Sequence, residues 1–123
     1  MLQIIESWFL LLYFDYLMHF HDFRAIQSRL SASQSRTDVQ NPLRVETLCH
    51  AMDLASVFYI KRVLCLQRSA ATAILLRRHG WMAEMVIGAQ VLPLQSHAWV
   101  EVEGRVVNDK PYVTDIYRVL DRC

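Results

Sequence analysis

Residues 65–109 read CLQRSAATAILLRRHGWMAEMVIGAQVLPLQSHAWVEVEGRVVND, and their apolar spacing changes once, at Gly80. Before that glycine the stretch is rich in Ala and Leu and ends on Arg77, Arg78 and His79, basic residues that suit a helix C-terminus. A helix from about Cys65 to His79 is expected. Beyond it, Met85 to Leu92 is strand-like, and Ala98, Val100 and Val102 alternate with His97, Trp99, Glu101 and Glu103, the two-residue period of a strand. A third strand is expected over about Val106 to Asp109. Helices followed by strands with short connections give an α+β domain with a small antiparallel sheet, the Cys65 helix packed against it.

Upstream of this stretch the chain reads as helical. Residues 2 to about 30 carry Ile4, Ile5, Trp8, Leu11 and Leu12 at helical spacing, but apolar side chains lie almost all the way round, so the helix needs burial on several sides. Ser28, Ser31, Ser33 and Ser35 fall in a polar stretch ending near Asp38, which reads as a connecting loop. Asn41 before Pro42 has the form of a helix start. From there a helix is expected to about Ile60, with Val45, Leu48, Cys49, Met52, Ala55 and Tyr59 on its buried face. Residues 1–40 are thus expected to form an N-terminal helix and loop offering a partner surface, and residues 41–123 the core of one compact domain.

Composition narrows the function classes. With 123 residues, 54% of them hydrophobic, and only three glycines and three prolines, the chain is neither disordered nor of low complexity. Thirteen basic against twelve acidic residues, with no Lys/Arg run longer than two, argue against a nucleic-acid partner. Cys49, Cys65 and Cys123 are an odd number in a chain hydrophobic enough to need no disulfide framework, which points to a reducing cytoplasm. Trp8 to Phe14 is unbroken apolar sequence, but Glu6, Asp15 and His19 flank it and the first basic residue is Arg24, so neither a spanning helix nor a signal peptide fits. The segment is expected to dock on the core or a partner, with weak contact to a membrane surface as the alternative.

Cys65 stands where one helix has ended and the next begins, a place where peptide dipoles and free N–H groups favour a thiolate. A base is then needed. Of five histidines only His97 falls on a strand, on the face opposite Ala98, Val100 and Val102, from which it can address the start of the Cys65 helix. Asp109 completes the set if Glu103, Gly104 and Arg105 form a three-residue loop. Val102 then pairs with Val106, and His97 is the diagonal neighbour of Asp109, whereas a two-residue Glu103-Gly104 turn would put Asp109 on the wrong face. Cys65 would attack a carbonyl, His97 would move the proton, and Asp109 would orient the imidazole. The default oxyanion donor is a backbone N–H at the start of the Cys65 helix, with Gln67 and Gln95 as weaker candidates. This chemistry needs no cofactor, and the isolated thiol and imidazole lack the paired spacing of a zinc site.

The residues also carry a resemblance. Cys65-Leu66-Gln67-Arg68-Ser69, the helix end Leu75 to Gly80, Val86-Ile87-Gly88, His97-Ala98-Trp99-Val100-Glu101 and Val107-Asn108-Asp109 resemble the leader peptidases of lasso-peptide biosynthesis over about residues 60 to 120. The resemblance implies a transglutaminase-like, papain-like core and a catalytic Cys65, His97 and Asp109. It implies removal of the leader from a ribosomally made lasso precursor in a bacterium, before an asparagine-synthetase-like cyclase closes the ring. The first 40 residues hold no strand set for a fused leader-binding module, so a separate leader-binding protein is implied as partner. An acyl transfer to an amine, as in transglutaminases, and a non-catalytic precursor-shuttling scaffold are the alternatives.

Overall fold

The computed structural model describes residues 1–123. Four helices, α1 (Leu2–Phe20), α2 (Phe23–Ala32), α3 (Val45–Val57) and α4 (Cys65–Arg78), precede strands β1 (Ala83–Gln90), β2 (Gln95–Val102) and β3 (Arg105–Val106). A one-turn helix α5 (Val113–Ile116) and strand β4 (Arg118–Arg122) complete the chain. The sheet order is β3-β2-β1-β4, antiparallel throughout, so the expected α+β architecture is the one observed.

The fold is organised around α4. Ala70, Ala71 and Ala73 are fully buried, and their small side chains let α1 and α3 approach one side of the helix while β1 and β2 cover the other. Leu75 and Leu76 fill the remaining space. Near its C-terminus, the buried Arg77 donates to the carbonyls of Leu30 at 2.6 Å, Ala83 at 2.9 Å and Cys123 at 2.7 Å. One guanidinium thereby ties the end of α2 to β1 and to the residue after β4, satisfying three carbonyls that burial would otherwise leave unpaired. Gly80, at φ +95, turns the chain out of α4 in a conformation that side chains disfavour.

Several expected boundaries shift, each for a local reason. The N-terminal helix is two helices, because Asp22 accepts the Ala25 N–H at 3.2 Å and caps a new start at Phe23. Ser28 and Ser31 consequently lie in α2, and the loop begins at Ser33. Asn41 does not cap α3. Its φ of +52 is left-handed, whereas an N-cap needs extended backbone, and the helix begins only at Val45. The apolar face of α3 is as expected: Val45, Leu48, Cys49, Met52 and Ala55 are buried, joined by Tyr59 just beyond the helix.

α1 is built into the core rather than appended to it. Leu10, Leu11, Phe14 and Leu17 belong to the same buried cluster as Ile26 and Leu30 of α2, Leu48 of α3 and Leu76 of α4. Its other side leaves Leu2, Ile5, Phe9, Tyr16 and Phe20 exposed. No helix is long and apolar enough to cross a membrane.

The sheet is covered on both faces along β2, where the alternation suggested one core face. Ala98 to Val102 are all buried, because α5 and Tyr117 cover the second face, where Trp99 is enclosed with Val86 and Val113. Glu101 is carried into that layer and satisfied there by Trp99 Nε1 at 2.9 Å and Arg122 Nη1 at 2.9 Å. The β2–β3 connection is also tighter than expected. Glu101 pairs with Val106 and Val102 with Arg105, leaving a two-residue turn in which Glu103 (φ +53) and Gly104 (φ +78) are both left-handed.

Candidate active site

Cys65 is the first residue of α4 and is half-buried. The helix start is fixed from behind. Gln67 is buried, accepts the Leu64 N–H at 3.4 Å through Oε1 and donates through Nε2 to the Leu11 carbonyl of α1 at 2.8 Å. Both ends of its amide are engaged, so Gln67 is not free to serve a developing oxyanion. Gln95 is exposed, accepts from Gln90 at 3.0 Å through Oε1, and stands outside the cavity that Cys65 and His97 line. The backbone N–H groups at the α4 start are the donors that remain of those considered.

His97 lies on β2 opposite Gly88 of β1. Its Nε2 is hydrogen-bonded to Asp109 Oδ2. A face of the ring stacks on Tyr117, centroids 5.1 Å apart and planes 28° apart, and Trp99 lies tilted alongside at 6.2 Å. Gly88 makes this stack fit. A Cβ there would stand 2.7 Å from the Trp99 ring and 2.9 Å from Tyr117 Cβ.

Asp109 reaches His97 by a route other than the expected three-residue loop. With the two-residue turn, a continued ladder would set Val107 opposite Val100 and carry Asp109 to the face of Ala98. The ladder stops instead. Val107 donates to the Val100 carbonyl at 3.0 Å, but the Val100 N–H goes to the side-chain Oδ1 of Asn108 at 2.7 Å. Asn108 Nδ2 in turn donates to Ser69 Oγ at 3.1 Å, and Ser69 Oγ donates to the Ala98 carbonyl at 3.0 Å. This clamp ends the strand, bends the backbone at 108–109 and swings Asp109 toward the imidazole. Burial alone would raise the Asp109 carboxyl. The His97 hydrogen bond, the Lys110 backbone N–H at 2.7 Å and the charges of His97 and Arg68 outweigh it and hold the carboxyl below its ordinary value.

Cys65 and His97 line one cavity of about 260 Å³, bounded also by Phe23, Leu66, Ile87, Ser96 and Ala98. The other two thiols stand apart from it. Burial, with Asp53 and Glu46 nearby, pushes the Cys49 thiol up to about 11, and burial with Asp121 raises that of Cys123. The remaining histidines are elsewhere: His79 bonds Glu6 at 2.9 Å, and His19, His21 and His50 are exposed. Tyr117 and Phe23 carry no motif in the sequence, and both come to the site from elements outside the residues that decide the fold.

A family model described as the transglutaminase-like superfamily matches residues 8–122. The chain belongs to the transglutaminase-like superfamily. The match takes in α1 from Trp8 onward and α2 as well as the sheet. Over 56 residues the chain is 41% identical to the microcin J25-processing protein McjB of Escherichia coli, a stretch making up 46% of this chain and 27% of that protein. The matched part thus spans about a quarter of the relative's length. No solved structure matches the chain.

Proposed function

We propose that this transglutaminase-like protein is a cysteine protease that removes the leader peptide from a ribosomally made lasso precursor, with Cys65 as nucleophile, His97 as base and Asp109 as its orienting partner. The observation that carries the reading is the shared cavity of Cys65 and His97, with His97 Nε2 bonded to Asp109. The likeness to a microcin-processing protein supports a peptide substrate.

Asp109 accepts the Nε2–H of His97, which leaves Nδ1 as the basic nitrogen for the thiol proton. The Cys65 thiolate attacks the scissile carbonyl, and N–H groups at the start of α4 receive the oxyanion. His97 returns the proton to the leaving amine, giving a thioester that water cleaves with His97 again as base. The Asn108 clamp holds the turn that sets the Asp109 carboxylate, so it acts through positioning.

The partners of this reading are the lasso precursor, a separate leader-binding protein and the asparagine-synthetase-like cyclase that consumes the trimmed peptide. The exposed apolar stripe of α1 offers the leader-binding protein a docking surface within the 1–40 segment. Three free thiols support a cytoplasmic setting. Incubating the protein with precursor and leader-binding partner should release a leader with a free carboxylate, read by mass spectrometry. A leader carrying an added amine would establish acyl transfer instead.

A further inference from the structure

Two arginines of α4 have opposite surroundings. Arg77, near the helix end, has all three guanidinium nitrogens on backbone carbonyls. Arg68, three residues after Cys65, is half-buried and far less engaged. Its Nη2 donates to the Asn108 carbonyl at 3.4 Å, its Nη1 lies 4.0 Å from Asp53 of α3, and its buried Nε has no hydrogen-bond partner. Buried donors are nearly always paired, so packing does not account for a guanidinium held in this way. Nor do the roles of Cys65, His97 and Asp109 use it. We infer that Arg68 is a positioning residue of the site, bracing the Asn108-Asp109 bend against the helix turn that carries Cys65. The inference rests on the reading of Asp109 as the orienting partner of His97.

The brace has an anchor at each end. Residues three apart on a helix are neighbours on one face, and helical side chains lean toward the N-terminus, so the Arg68 stem runs back along the turn that Cys65 opens. Its far end reaches Asn108. The Asn108 carbonyl shares a planar peptide unit with the Asp109 nitrogen, so holding that oxygen fixes the plane from which Asp109 departs. Ser69, the next residue of α4, takes the Asn108 side chain at 3.1 Å. Adjacent helix residues thus grip the main chain and the side chain of the residue before the acid.

Charge works in the same direction. Lys110 gives Asp109 its backbone N–H, but lays its ammonium over the Tyr112 ring, 5.8 Å from the centroid. Arg68 is the cation that, beside His97, favours the Asp109 carboxylate. Asp53, the other anion near Arg68, is exposed, and an exposed pair at 4.0 Å holds little.

A double-mutant cycle tests the brace, because a residue acting through Asp109 has nothing to act through once the carboxylate is gone. Leader release is timed with precursor and leader-binding partner for Arg68→Met, Asp109→Asn and the pair, at a temperature where each is folded. Arg68→Met keeps the stem and loses the head, and should slow release about tenfold or more, whereas in the Asp109→Asn background it should cost less than about threefold. Arg68→Lys returns a cation to the stem. It should release leader within about fivefold of the unaltered protein, since one bond and one charge, not a bidentate fork, are at stake. Arg68→Met as fast as the unaltered protein, an equal loss in both backgrounds, or Arg68→Lys no faster than Arg68→Met would overturn the brace and leave Asp109 in the site. An Asp109→Asn protein as fast as the unaltered one would remove Asp109 from the site and the brace with it.

Discussion

The two halves of the site are held by different physics. His97 is fixed by direct contacts on several sides: Asp109 at Nε2, Tyr117 and Trp99 beside the ring, and the bare backbone of Gly88 opposite. Cys65 is fixed by where its helix begins, and that depends on how α4 packs on α1 through Gln67 and Leu11. An imidazole that must pass a proton between two partners needs its tautomer and ring plane set, whereas a thiol needs only to sit at the right height at a helix start. Local substitutions should therefore damage the histidine half catalytically, and substitutions behind the cysteine half should act through stability.

The largest of these effects is expected for Asp109→Asn, which leaves the packing but loses the carboxylate that sets the imidazole. The rate of leader release should fall on the order of 10²- to 10⁴-fold, and an unchanged rate would remove Asp109 from the site. The same variant has a signature in acid. Because the Asp109 carboxyl is held below its ordinary value in the fold, its contribution to stability is present above the ordinary carboxylate range and lost as pH falls through the lowered value. Denaturant unfolding followed from pH 6 downward should show a shallower acid decline in Asp109→Asn.

Gly88→Ala comes next. The added methyl must displace Trp99 or Tyr117, at a cost of about 1–3 kcal/mol for overpacking, and because both rings flank His97 the rate should fall by about tenfold or more. On the other half, Gln67→Leu removes the hydrogen bond from α4 to the Leu11 carbonyl of α1 and the one from the Leu64 N–H at the α4 start, and should cost about 1–3 kcal/mol in denaturant unfolding. Below its unfolding midpoint the variant should keep its turnover within about tenfold. A Gln67→Leu protein that is stable but inactive would show that the cysteine half, too, is built by direct contacts.

The sequence made the two central elements legible for the reason it made the site legible. The Cys65 helix and the His97 strand are long enough to show their periods, and each carries its functional residue at a position those periods define. α5 and β4 were invisible, since one has four residues and the other five, all exposed, with no alternation to read. Tyr117, which sits between them, was invisible with them. Asp109 was reached by the wrong geometry. Loop length at Gly104 does not decide its side, because the ladder is ended four residues later by the Asn108 side chain taking a backbone N–H that the ladder would have used. Side-chain competition of this kind leaves no periodic trace. The break between α1 and α2 has the same origin in Asp22.

The central claim is that one thiol of three performs the reaction, and cleavage by single-cysteine variants tests it most directly. With precursor and leader-binding partner present, Cys65→Ala should release no leader while remaining folded, and Cys49→Ala and Cys123→Ala should each retain cleavage. Leader release by Cys65→Ala at the rate of the unaltered protein would contradict the account.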